Sequence, residues 1–166
     1  MRHRIVYRLL LTGYNKSMVV YIGADHGGYK LKGEIKKYLT ELGYELEDMG
    51  AHALNLNDDY TDFVFPVAQK VVADPKSRGI VIGRSGQGEA IATNKVKGIR
   101  AAVCFSEEMA RRTRDHNNSN ILSLGADFVE VETAKRIVKV FLETPFPGEK
   151  RHVRRLKKIE EIEKSI

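Results

Sequence analysis

Short runs of apolar and β-branched residues alternate with helical patterns along most of this chain of 166 residues. The spacing predicts strands at residues 19–23, 45–48, 79–83, 101–104 and 121–124. It predicts helices at residues 29–42, 60–73, 89–95, 106–116, 131–143 and 152–164. Strands that are joined by helical crossovers pair in parallel, and a parallel sheet is covered on both faces. The alternation therefore predicts one α/β domain, a three-layer αβα sandwich around a five-stranded parallel Rossmann-like sheet.

Individual residues mark some of the predicted helix ends. Gly43 is placed to stop the first helix, because glycine readily adopts the left-handed conformation that follows a helix. Ser106 is a suitable N-cap for the helix that contains Glu107 and Glu108 in its first turn. Pro66 falls inside an otherwise helical pattern and predicts either a kink or a later start of that helix.

Pattern and charge divide the chain into three parts. Residues 1–18 show no regular period and hold basic residues but no acid, so we expect an N-terminal extension that is disordered or non-native. Residues 19–148 form the predicted α/β domain. Residues 149–166 follow a break that contains proline and glycine, and they predict a charged helix with a narrow apolar stripe. We expect that helix to pack on a partner subunit.

The distribution of charge and cysteine narrows the function classes. The net charge of +6 comes from residues 1–18 (+4) and 149–166 (+3), which leaves −1 on the body and does not favour nucleic acid as a partner. No run approaches the roughly 18 apolar residues of a membrane span. The single cysteine permits no internal disulfide and suits a reducing, cytoplasmic setting. The five histidines lack the spacing of zinc sites, so we expect no metal and no cofactor.

Polar residues follow the first and third predicted strands. Asp25 and His26 come directly after the first, and residues 83–89 (Gly-Arg-Ser-Gly-Gln-Gly-Glu) close the third. Ligands of parallel sheets bind beyond the carboxyl ends of the strands. A glycine-rich loop before a helix exposes backbone N–H groups that hold an anion, such as a phosphate or a developing oxyanion. Glu89 lies on the first turn of that helix, within reach of whatever the loop holds.

Each of these features also has a purely structural interpretation. The glycines fit an ordinary βα turn, Glu89 fits the helix dipole, and Asp25 fits an N-cap. His116 fits a cation at the end of its helix. The loop is neither a P-loop nor a dinucleotide fingerprint, because it lacks their residues and spacing. Three polar clusters at strand or helix ends together favour a functional site.

With these motifs in place, residues 19–159 resemble the type B ribose-5-phosphate isomerase family, which includes galactose-6-phosphate isomerase subunits. The motifs that carry the resemblance are residues 23–28, 58–60, 83–89 followed by 91–95, 98–102, 116–120 and 151–155. The resemblance implies an aldose–ketose isomerase that needs no metal and works through a cis-enediolate. Its expected reaction is the conversion of ribose 5-phosphate to ribulose 5-phosphate.

The resemblance also implies catalytic roles. Many members place a cysteine base at the position of Gly83, whereas a second branch uses a glutamate at the position of Glu89, which is therefore the expected base here. Asp25 and His116 are expected to open the sugar ring, with His116 supplied by the neighbouring subunit. Cys104 matches a different, strand position and is expected to be inert.

The remaining site residues implied by the resemblance bind the substrate. The expected anion hole consists of Ser85 and the amides of Gly86, Gln87 and Gly88. The expected ligands of the sugar hydroxyls and the phosphate are Asn117, His26 and, across a dimer interface, Arg151 and Arg155. A homodimer, or a dimer of dimers, with shared active sites follows from this assignment.

Two residues depart from the family pattern. Asp127 stands near a position that usually carries an arginine or lysine for the phosphate, and Arg84 replaces a small residue of the anion loop. These departures leave two alternatives open. One is an isomerase of another sugar or sugar phosphate. The other, motivated by the missing cysteine, is a non-catalytic sugar-phosphate-binding subunit.

Overall fold

The computed structural model describes residues 18–166, so the predicted extension lies outside the described residues except for its last residue. The strands are β1 (Val19–Ala24), β2 (Glu45–Asp48), β3 (Arg78–Gly83), β4 (Ala101–Val103) and β5 (Ile121–Gly125). The helices are α1 (Tyr29–Glu41), α2 (Thr61–Ala73), α3 (Gln87–Thr93), α4 (Glu107–Asn117), α5 (Val131–Glu143) and α6 (Lys150–Ser165). The strands pair in parallel in the order β2-β1-β3-β5-β4. This architecture confirms the predicted α/β fold.

Helices cover both faces of the sheet. Successive residues of a strand point to opposite faces. Ile22 and Ile82 accordingly lie in an apolar cluster with residues of α1, α4 and α5, whereas Tyr21 and Val81 lie in a second cluster with residues of α2 and α3. The three layers are therefore helices, sheet and helices, and the carboxyl ends of the central strands are left open between the layers.

Two of the predicted helix ends are confirmed. Gly43 follows α1 with φ of +83°, and the N–H groups of Gly43 and Tyr44 donate back to the last turn, the second of them to Leu39 O at 3.0 Å. Ser106 Oγ accepts from Met109 N at 3.2 Å at the start of α4.

The second helix does not start late. α2 begins at Thr61 and continues through Pro66. An interior proline costs about 3 kcal/mol. Val64, Val67 and Val71 are buried on the face that packs against the sheet, and each fully buried valine returns roughly 1.5–3 kcal/mol. Burial of the apolar stripe therefore outweighs the hydrogen bond that proline cannot make.

The C-terminal helix lies partly against its own chain. His152 and Leu156 of α6 are buried, and Gly98 N donates to the carboxylate of Glu163 at 3.2 Å. Ile159 and Ile162 remain exposed beside Ile99 and Arg100 of the same chain. The predicted contact of this helix with a partner subunit stays a prediction. None of the helices in residues 18–166 has both the length and the apolar character that crossing a membrane requires.

Candidate active site

The carboxyl ends of β1 and β3 bring two predicted clusters together at one edge of the sheet. The strands are in register, with Ala24 opposite Ile82. The loop after β1 therefore touches the loop after β3, so that a Cβ added to Gly27 would lie 3.1 Å from the backbone nitrogen of Arg84. Asp25 is buried in this contact, and its Oδ1 accepts from Gly28 N at 3.2 Å.

His26 is held by the carboxylate of Asp58, a residue that the sequence analysis named only within the motif of residues 58–60. His26 Nδ1 lies 2.6 Å from Asp58 Oδ1, which also accepts from the backbone nitrogen of His26 at 3.0 Å. The Asp58 side chain is only 6% exposed, and its Oδ2 has no hydrogen-bond partner among residues 18–166. Asp58 lies in the loop that follows β2, another strand of the same parallel sheet. Its position after a strand was the sequence feature that could have predicted it as a site residue. The residue fixes the ring of His26 at the edge of the site.

Asp25, His26 and Asp58 also form a group whose potential metal-ligand atoms lie within 4.8 Å of one another. The hydrogen bond between His26 and Asp58 already uses one ligand atom from each of those residues. Hydrogen bonding between a histidine and a carboxylate accounts for this grouping, and no chemistry is assigned to a metal here.

The loop after β3 presents backbone donors at the start of α3. Gly86 has φ of +77°, a conformation that favours glycine, and its carbonyl accepts from Ser123 Oγ at 2.6 Å. Because that turn is so tight, α3 begins at Gln87, two residues before the predicted start. The Gln87 N–H approaches Ser85 Oγ at 3.3 Å, and Tyr60 packs against Gly88. The N–H groups at the start of α3 and the Ser85 hydroxyl therefore lie in one tight turn, an arrangement that suits an anion.

Glu89 points back over the end of β3. A Cβ added to Gly83 would overlap the carboxylate of Glu89, so the carboxylate fills the space that a side chain at residue 83 would otherwise occupy. Glu89 is 5% exposed, and burial together with the nearby Asp25 carboxylate raises its pKa. A buried carboxyl group with a raised pKa beside an anion loop is suited to take up and return a proton.

The two residues that depart from the family pattern pair with each other. Arg84 Nε lies 3.1 Å from Asp127 Oδ2, and the two side chains are 69% and 51% exposed. The acid therefore has a cationic partner at the rim of the loop and does not point alone into the anion site.

The other predicted residues lie at the opposite edge of the sheet in the same chain. α4 starts after the carboxyl end of β4 and ends before the amino end of β5, so His116 and Asn117 in its last turn lie at the amino edge. Arg151 and Arg155 are exposed on the first turns of α6. The structure thus brings Asp25, His26 and residues 85–89 together in one half-site, and it leaves these four residues in a second half-site.

His116 is connected to α6 by a stacked ring. The imidazoles of His116 and His152 have centroids 4.4 Å apart and planes inclined by 12°. His152 is 3% exposed, and its pKa is lowered by burial, by His116 and by Arg151 and Arg155, against the attraction of Glu149. The stack orders the second half-site and is a feature that the sequence analysis did not predict.

Cys104 is buried, and burial raises the pKa of its thiol to about 12, as expected of an inert thiol.

The geometry is accompanied by clear similarity to known proteins. Residues 20–159 match the family model described as Ribose/Galactose Isomerase. The chain belongs to this isomerase family. Ribose-5-phosphate isomerase B of Mycobacterium leprae is 43% identical over 148 residues, which cover 89% of this chain and 91% of the relative. Membership confirms the resemblance drawn from the motifs, and with it an enzyme of the aldose–ketose isomerase class.

Solved structures of family members agree with the fold. Ribose-5-phosphate isomerase B of Clostridium thermocellum has a TM-score of 0.85 and 49% identity, covering 89% of this chain and 99% of that one. The protein from Mycoplasma genitalium, solved with bound ribulose-5-phosphate, has a TM-score of 0.87 and 40% identity, covering 90% and 99% of the two chains. The family fold therefore extends over nearly all of the described residues.

Proposed function

We propose that this isomerase interconverts ribose 5-phosphate and ribulose 5-phosphate through a cis-enediolate, without a metal, and that Glu89 is the base. The observation that carries the proposal is the position of the Glu89 carboxylate over Gly83, beside the donors of the anion loop. Relatives named ribose-5-phosphate isomerase B, one of them with bound ribulose-5-phosphate, support the choice of substrate. The buried Glu89 carboxylate beside the anion loop also favours a catalytic chain over a non-catalytic subunit.

The chemistry follows from the groups at this edge. Once the ring is open, Glu89 removes a proton from C2 of the aldose and returns it to C1, while the proton of the C2 hydroxyl passes to O1, so that the carbonyl moves from C1 to C2. The negative charge that develops on the enediolate oxygen is stabilised by Ser85 and the amides of residues 86–88. Asp25 is placed to take part in ring opening, and the raised pKa of Glu89 favours return of the proton at the end of the reaction.

The complete site requires a second copy of the chain. One chain holds the base and anion hole at the carboxyl edge, while His116, Asn117, Arg151 and Arg155 lie at the amino edge. In a homodimer, or a dimer of dimers, the second half-site of one subunit completes the first half-site of the other. The exposed arginines then hold the phosphate dianion through their paired donors. The proposed location is the cytoplasm, which suits a chain with one buried thiol.

The first test is turnover by the purified chain on ribose 5-phosphate and a panel of other aldose phosphates and free sugars. Glu89→Gln is expected to lower kcat about 10³-fold, because it removes the base and keeps the shape. Glu132→Gln, an exposed residue of α5, is the matched control and should leave kcat unchanged. Activity should survive a chelator. Full activity of Glu89→Gln would disprove the assigned base. A higher kcat/KM on another sugar would make that sugar the substrate in place of ribose 5-phosphate.

The second test mixes two inactive variants. Glu89→Gln damages one half-site and His116→Gln the other, so a hybrid dimer retains one intact composite site. Unfolding and refolding an equal mixture should restore about a quarter of wild-type activity, since half of the dimers are hybrids with one working site each. Mixed Glu89→Gln and Asp25→Asn chains, altered in the same half-site, are the control and should stay inactive. Failure of the first mixture to recover activity would show that each site is built within one chain.

A further inference from the structure

A basic cavity lies at the amino edge of the sheet, apart from both half-sites. Its volume is about 400 Å³, and its lining includes Lys76, Arg78, Arg114 and Thr144. Arg78 begins β3 and Gly83 ends it, so the cavity lies roughly 17 Å from the anion loop at about 3.3 Å per residue. None of the candidate site residues named above lines this cavity among the residues that the structure describes.

The arginines of the cavity have no carboxylate partner among the residues that the structure describes. Within residues 18–166, neither Arg78 nor Arg114 makes an ion pair, although Arg114 is only 2% exposed. Glu143 is the acid in the lining, and it lies 4.0 Å from Lys139 instead. Burial lowers the pKa of Arg78, and Arg100 adds repulsion. Burial, Arg78 and Arg100 together lower the pKa of Arg114 to about 9, against the attraction of Asp115. A buried cation without a counter-charge is costly unless something binds it.

Several donors of these groups are also unused. Arg114 donates from Nε to Thr144 O and from Nη1 to Asn118 Oδ1 and Ser119 O. Arg78 donates from Nη1 to Ser77 O, while its buried Nε has no partner within residues 18–166. A guanidinium carries five N–H donors, so each arginine keeps donors on Nη2 that no described residue accepts. Lys76 adds a flexible ammonium at the rim.

We propose that this cavity binds a small oxyanion of the phosphate class, as free phosphate or as the phosphate group of a small monoester. Paired guanidinium donors match the geometry of such an anion, and the ammonium of Lys76 adds a third positive charge. The volume exceeds that of the anion alone and leaves room for the rest of a small monoester. Bound there, the anion supplies the counter-charge that residues 18–166 do not provide and stabilises the start of β3 against the end of α4. This site is independent of the proposed reaction.

The test is thermal unfolding of the full chain with Arg151→Ala and Arg155→Ala, which removes the proposed phosphate ligands of the active site. Inorganic phosphate at saturation, compared with chloride at equal ionic strength, should raise Tm by about 3 °C. Adding Arg78→Met should abolish that shift. It should also raise Tm in phosphate-free buffer, because the substitution removes a partly buried charge next to the buried Arg114 and keeps an unbranched apolar chain.

Arg111→Met, which alters an exposed arginine of α4, is the matched control and should leave the phosphate shift unchanged. Lys76→Met should weaken the apparent phosphate affinity several-fold, and it carries the test if Arg78→Met does not fold. Glycerol 2-phosphate in place of phosphate identifies the source, since a larger shift at equal concentration indicates a monoester. The proposal is overturned if the parent chain shows no phosphate shift, or if the shift persists in Arg78→Met while the phosphate-free Tm falls.

Discussion

The two edges of this sheet bury charges of opposite sign. At the carboxyl edge the buried or nearly buried acids are Asp25, Asp58 and Glu89, and at the amino edge the partly or fully buried bases are Arg78, Arg100 and Arg114. Burying either set of charges costs free energy, because a charged group loses its hydration when it leaves water. Asp58 is paired with His26, whereas Glu89 and Arg114 have no ion-pair partner within residues 18–166. Buried charges that a fold leaves unpaired mark places where a ligand or a proton completes the structure. We propose that the carboxyl edge holds the base and the anion hole for the sugar, and that the amino edge both completes a partner's sugar site and binds a separate anion.

A third kind of buried charge sharpens this comparison. Lys32 is also buried, but its Nζ lies 2.7 Å from Asp48 Oδ1 and donates to Ala51 O at 2.6 Å. Burial lowers the pKa of Lys32. Burial opposes ionisation of Asp48, yet bonds from Lys32 and Lys36 bring its pKa below the ordinary value. This cluster is satisfied within the chain, so its role is structural.

The largest expected effect on stability comes from breaking that pair. Asp48→Asn removes the charge that compensates Lys32 and should lower the free energy of unfolding by about 3 kcal/mol. The adjacent residue supplies the matched control, because Glu47 pairs with Lys70 where both side chains are almost half exposed. Glu47→Gln should change stability by at most about 0.5 kcal/mol. Denaturant titration measures both. Equal losses would show that burial does not separate the two pairs.

Neutralising Glu89, which has no ion-pair partner among the described residues, is expected to raise the free energy of unfolding instead of lowering it. Because the folded-state pKa of Glu89 lies above its ordinary 4.5, the stability from this group is full below pH 4.5 and is lost as pH rises through the folded pKa. Glu89→Gln should therefore raise stability at neutral pH by roughly 1 kcal/mol, the usual scale of a trade between stability and activity. The gain should disappear near pH 4. A loss of stability at neutral pH would mean that the ionised carboxylate is satisfied by the fold.

The sequence predicted the residues at the carboxyl edge better than those at the amino edge, because the former lie close in sequence to the ends of strands. Asp25 follows β1 directly, and Glu89 lies in the first turn of the helix after β3, so their positions in the chain fix their positions at the edge. The pairing of His26 with Asp58 spans 32 residues and depends on how the loop after β2 folds back. The strand order, which places β5 between β3 and β4, is set by long-range packing and leaves no periodic signal in the sequence.

The amino edge had no such local marker. Arg78, Arg100 and Arg114 are scattered in sequence, and each reads as an ordinary surface base. They come together only because β3, β4 and β5 are parallel and α4 returns to their starting edge. The stack of His116 on His152 likewise joins two helices that a proline-containing break separates. Clusters of this kind follow from topology, and the alternation of elements predicted the topology only in outline.

The smallest expected effect concerns the exposed pair at the rim of the anion loop. Arg84 and Asp127 lie 3.1 Å apart, but both side chains are more than half exposed, so water screens their attraction. A double-mutant cycle with Arg84→Gln and Asp127→Asn should give a coupling of about 0.3 kcal/mol that decreases further with added salt. A coupling above roughly 1.5 kcal/mol that salt does not change would place this pair with Lys32 and Asp48 as a desolvated pair. The rim of the loop would then be a fixed wall of the sugar site, and substitutions there would act on substrate choice as well as on stability.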